Sequence, residues 1–139
     1  MTPSGLRFFW MLIAAGVLLV ALTLGDLPAG VATNFGGGGV PHAWMGRQVY
    51  AGYLALIGIV IPLLTVVVAS RRGGTQSAQW WLGALMVGFA LGVHALILGA
   101  HRARPPQLST SGFLAVLGLF VAGLVMWIVH WRRSGHRTG

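Results

Sequence analysis

The chain has 139 residues, 56% of them hydrophobic and only 7% charged, whereas about a quarter of a soluble domain is charged. Nine arginines, a single acid (Asp26), no lysine and no cysteine exclude a water-facing fold, a disulfide framework, thiol chemistry and carboxylate-based hydrolysis or cation binding. The net charge of +8 does not point to nucleic acid, because the arginines stand singly or in pairs between long apolar runs, as they do beside membrane helices.

Four charge-free runs locate helices, with cores at about 8–25, 49–69, 80–100 and 112–131. Each is close to the roughly 20 apolar residues that cross about 30 Å of hydrocarbon, where an unpaired backbone amide is too costly for any open structure. The expected fold is therefore all-α: one membrane domain of four antiparallel transmembrane helices. Arg7 ahead of the first run resembles the start of a secretory signal, but the run is long and no small-x-small cleavage site follows it. The expectation is an uncleaved anchor.

The next segment, 26–47, is too long for a plain helix connector and holds Pro28, Pro41 and the run Gly36–Gly39. Two readings stay open: a mobile loop, or a loop folded onto the membrane surface by Phe35 and Trp44, which flank the glycines. Asp26 either pairs with Arg47, pinning the loop ends together, or stays solvated. Within the second span, Pro62 removes one helical hydrogen bond and crowds the carbonyl of Gly58, so a kink is expected.

The third span carries two features. His94 and His101 are seven residues apart and share a face. An ionisable residue inside a membrane helix is a functional candidate by default, although a histidine bonded to a neighbouring helix is the commoner outcome, and proton, ligand or haem contact stays open. On another face, Ala84, Gly88, Gly92, Ala95 and Gly99 form a small-residue stripe of the kind that lets helix backbones approach closely. Its expected partner is a helix of the same bundle or of another subunit. Pro105-Pro106 ends the span, and the basic tail 132–139 is expected at lipid headgroups.

Orientation follows from the arginines. Arg7, Arg71, Arg72, Arg132, Arg133 and Arg137 fall on the side of the termini, and Arg47, Arg102 and Arg104 on the other. The positive-inside rule makes the termini cytoplasmic and the segment 26–47 external. Arginine without lysine, amid much alanine, glycine and valine, fits a GC-rich bacterial genome and hence a bacterial plasma membrane.

Leu27-Pro28, Asn34-Phe35, Gly39, Pro41 and Trp44-Met45-Gly46-Arg47 together resemble the small membrane domain of unknown function found at the start of SdpI-type immunity proteins. The resemblance covers roughly residues 12–65. The chain departs from that pattern at Asn34, where histidine is usual, and at His42, where aspartate is usual. The resemblance implies toxin immunity or signalling.

The expected function is non-enzymatic recognition of a peptide, toxin or lipid at the outer loop and bundle mouth. Its candidate ligand-binding residues are Asn34, Phe35, His42, Trp44, Arg47, His94 and His101, with His42 drawn towards His94 or His101 in an outward polar pocket. No catalytic residue, metal or cofactor is expected, and the expected partners are the lipid bilayer and either a peptide toxin or other membrane-protein subunits, with no nucleic acid. Two alternatives stand beside this: an accessory subunit of a larger membrane complex, and, more weakly, a haem or quinone protein using His94.

Overall fold

The computed structural model describes residues 4–71 and 76–135. Arg72, Arg137 and His136 lie outside the described residues, as do positions 72–75 of the turn 71–79 and the last four positions of the basic tail. The elements in chain order are α1 (Ser4–Thr23), a 3-10 turn (Leu24–Asp26), β1 (Gly30–Phe35), β2 (Pro41–Gly46), α2 (Arg47–Ala55), a π turn (Leu56–Val60), α3 (Ile61–Arg71), α4 (Gln76–Arg102) and α5 (Thr110–Gly135). Four helical stretches are long and apolar enough to cross a membrane: Ser4–Asp26, Arg47–Arg71, Ala78–Arg102 and Thr110–Arg133.

The second span is continuous through Pro62. The expected disturbance takes the form of the π turn just before the proline, where the ladder widens and the amide of Ile61 bonds the carbonyl of Leu56, five residues back. The turn also brings Gly58 against α4, where a Cβ on the glycine would sit 3.5 Å from that of Ala90. At the start of α5, Ser109 caps the helix: its hydroxyl oxygen accepts the amide of Gly112 at 3.1 Å.

Helix α4 is the hub, packed against α1, against the π turn with α3, and against α5. Two buried clusters flank it. One holds Phe9, Ile13, Ala84 and Val87 near the start of α4, and the other holds Leu27, Val31, Tyr50, Leu54 and Ile97 beneath the hairpin. Helix α5 stands apart. It touches α4, yet none of its described residues is buried. Contacting positions climb α4 as they descend α5: a Cβ on Gly112 would meet Leu96, one on Gly92 would meet Val116 and one on Gly123 would meet Leu85, while Trp127 bonds Ala78.

The small-residue stripe of α4 does not act as a unit. Ala84 is buried and Gly92 lies close under Val116, but a Cβ on Gly88 or Gly99 meets open space and Ala95 is exposed. The tightest glycine on this helix is Gly83, outside the stripe, where a Cβ would come within 2.7 Å of Val66 and 2.8 Å of Phe9. Three helices meet there. Gly83→Ala is expected to destabilise the detergent-solubilised protein by about 1–3 kcal/mol through overpacking, whereas Gly99→Ala should change it by less than about 0.5 kcal/mol. Equal melting temperatures for the two variants would remove the three-helix contact.

Candidate functional site

The segment 26–47 folds as a hairpin, which corrects an all-α description of the chain. Strands β1 and β2 pair antiparallel, with Gly30 opposite Gly46, Val31 opposite Met45 and Ala32 opposite Trp44. The register slips between Ala32 and Asn34 and again before Phe35. The glycine run makes the turn, and its members differ in role. Gly38 and Gly39 adopt φ of 77° and 76°, a region that side chains disfavour by about 1–2 kcal/mol. A Cβ on Gly39 would also collide with the carbonyl of Leu108, and one on Gly36 with the ring of His42. Gly37 is unconstrained: a Cβ there meets nothing within 4 Å.

Five hydrogen bonds hold the hairpin to the rest of the chain. The Arg47 guanidinium donates to the carbonyl of Leu27 at 3.1 Å, and its amide donates to Ala29 at 2.9 Å. The two ends of the segment are thus pinned through backbone carbonyls and not through the Asp26 carboxylate. At the tip, the amide of Leu108 donates to Gly39 at 3.0 Å and the Gln107 side chain to Gly38 at 3.1 Å. His101 makes the latch on β1. Its Nδ1–H donates to the carbonyl of Ile97 at 2.8 Å, which leaves Nε2 as the acceptor for the amide of Ala32 at 3.1 Å. The Trp44 ring stands edge-on to this imidazole, with centroids 6.2 Å apart.

His94 forms a second, deeper node and is fully buried. The Thr23 hydroxyl donates to Leu19 O at 2.7 Å, so its oxygen is left to accept from His94 Nε2 at 2.9 Å. The proton then lies on Nε2, and Nδ1 accepts from the Tyr50 hydroxyl at 2.9 Å. Tyr50, His94, Thr23 and the carbonyl of Leu19 form one relay through α2, α4 and α1. No described buried side-chain nitrogen or oxygen lacks a partner. The two histidines of α4 therefore carry their protons on opposite nitrogens, each fixed by its neighbours.

The expected polar pocket does not form. His42 lies over Gly36, His94 is enclosed by Tyr50 and Thr23, and His101 is engaged by Ala32 and Ile97, so the three share no common cavity. Phe35 packs onto the cluster beneath the hairpin and is no surface anchor. Asn34, His42, Trp44 and Arg47 remain exposed. Among the described residues, two apolar cavities stand out instead. One, of about 270 Å³, lies between α1, α2 and α4, with Gly16, Leu54, Gly58 and Ala90 on its walls. The other, of about 770 Å³, lies between α4 and α5. Among the described residues no group of three or more histidine and carboxylate side chains has the spacing of a metal site.

The residues missed from sequence are the partners: Thr23, Tyr50, Ala32, Leu27, Gln107 and Leu108. Tyr50 and Thr23 did carry a signal, since a hydroxyl at the end of an apolar helix needs a partner as much as a histidine does. Ala32, Leu27 and Leu108 bond through backbone groups, which no side-chain pattern marks, and Gln107 bonds a backbone carbonyl through its side chain. A comparison with protein-family models, curated proteins and solved structures finds nothing that matches this chain.

Unfolding in detergent of Tyr50→Phe, His94→Phe and the double variant is expected to give a coupling of about 0.6–1.7 kcal/mol, the range for hydrogen bonds between membrane helices. Additive losses would mean that this bond contributes nothing to stability. For the hairpin, Gly39→Ala is expected to speed hydrogen exchange at the Ala32 and Leu108 amides by about tenfold, as about 1–2 kcal/mol of turn strain implies. Gly37→Ala should leave both amides protected; equal exchange in the two variants would contradict the turn geometry.

Proposed function

We propose that the chain is a non-enzymatic multi-pass protein of a bacterial plasma membrane, an antiparallel four-helix bundle with cytoplasmic termini, that recognises a peptide or toxin through its external hairpin. This is the role implied by the resemblance to SdpI-type immunity proteins. One observation carries it: the hairpin is fixed to the bundle at its root, at β1 and at its tip, yet holds Val40 and Trp44 each 54% exposed. Apolar side chains held out on an ordered backbone lose little entropy when a partner covers them. Asn34, His42 and Arg47 supply polar groups around them.

The accessory-subunit reading has its own support, since the unburied α5 offers a long face to another membrane protein. The haem reading has less, because both ring nitrogens of His94 already have partners. A photoreactive residue at Val40, crosslinked in native membranes, separates the readings. A small secreted polypeptide as the crosslinked species is the expected result. Crosslinks to large integral subunits favour the accessory role, and crosslinks to lipid alone overturn recognition by the hairpin.

A further inference from the structure

The cavity between α4 and α5 has a shape that a chain fills and a compact ring does not. Along α4 it runs from Ala78 to Gly92, and along α5 from Val116 to His130. Each stretch spans about 21 Å of helix at 1.5 Å per residue. Its walls are apolar and aromatic, including Phe8, Trp81, Leu119 and Phe120, and its volume of about 770 Å³ lies within the usual range for small-molecule sites. At Gly88 the wall is open, because a Cβ there meets nothing within 4 Å.

Charge distinguishes the two ends of the groove. At the end marked by Ala78 and His130, the Trp127 indole donates to the carbonyl of Ala78 at 2.6 Å. Ring contacts Phe8–Trp81 and Phe9–Trp80 bring the start of α1, and so Arg7, to this end. The bond from Gln79 to the carbonyl of Ala69 brings the end of α3, with Arg71. Arg132 and Arg133 follow His130 after one intervening residue, Trp131, and are exposed. The chain's one acid, Asp26, sits at the opposite, hairpin end.

We propose that this groove is a binding site for an anionic phospholipid, with one acyl chain laid between α4 and α5 and the headgroup phosphate at Arg132 and Arg133. The acyl chain supplies packing that α5 lacks within the protein, and the phosphate meets a surface with positive charge and no carboxylate. An arginine close to an anionic headgroup favours it by about fivefold, so two give a preference of about 30-fold over a zwitterionic lipid. The groove is independent of the hairpin, and neither proposal rests on the other.

The test is native mass spectrometry of the full chain reconstituted in vesicles of equal phosphatidylglycerol and phosphatidylcholine, then extracted in mild detergent. The expected species is a monomer retaining one phosphatidylglycerol, in about 30-fold excess over retained phosphatidylcholine. Gly88→Phe, projecting into the open part of the groove, should lose the retained lipid while keeping the parent's melting temperature. Leu119→Trp, from a residue 74% exposed on the opposite wall, provides a second obstruction. Arg132→Gln with Arg133→Gln should keep a bound lipid but abolish the preference for phosphatidylglycerol. Equal retention of the two lipids by the parent overturns the proposal, as does a lipid-free dimer or undiminished retention in both obstructed variants.

Discussion

His94 holds together three helices through two hydrogen bonds made by one buried ring. Its ring is fully buried, and its partners come from the last turn of α1 and the first turn of α2. Those turns are also the two roots of the hairpin. Fixing Thr23 and Tyr50 against one imidazole therefore fixes the span that the segment between them must bridge. Losing the ring would strand the Tyr50 hydroxyl, while Thr23 keeps its bond to Leu19, and a buried polar group without a partner costs about 1–3 kcal/mol. Apolar helices in a lipid slab gain little from hydrophobic burial against one another, so polar contacts and close packing must set their positions.

The hairpin depends on that frame and adds constraints of its own. Val31 and Phe35 from β1 and Met45 from β2 pack with Leu27, Tyr50 and Ile97 beneath the strands. A two-stranded hairpin is marginal by itself in water, and this apolar face supplies the third layer that it needs. The second histidine of α4 then reads the strand directly, accepting the amide of Ala32 where a further strand would otherwise bond. One face of one helix thus orders the roots of the hairpin through His94 and one of its strands through His101.

The spans were legible because a charge-free run of twenty residues has few ways to satisfy its backbone in lipid. The described helices extend those cores by a few residues at most ends, into the flanking arginines. Segment 26–47 was harder to read. Its strands are six residues each, its registers slip twice, and the four glycines look alike although only Gly38 and Gly39 take positive φ. The importance of His94 followed from an ionisable ring in an apolar helix. Its partners did not, since they lie 71 and 44 residues away in sequence. The small-residue stripe failed for a related reason. Periodicity shows which residues share a face but not what stands opposite, and Gly83 is crowded by side chains from two other helices.

The two ends of the molecule obey different physics. At the hairpin end, directional bonds to backbone groups leave little freedom, and the exposed side chains of Val40 and Trp44 stand on a fixed base. Between α4 and α5, contact rests mainly on alternating fits such as Gly92 under Val116 and Gly123 under Leu85, with the single Trp127 to Ala78 hydrogen bond at one end and a long cavity beside them. Helix pairs joined mainly by shape separate or reseat at small cost, whereas hydrogen-bonded ones move only when a bond is replaced. Any change of arrangement in this fold should therefore start at α5, leaving α1, α2 and α4 joined through His94.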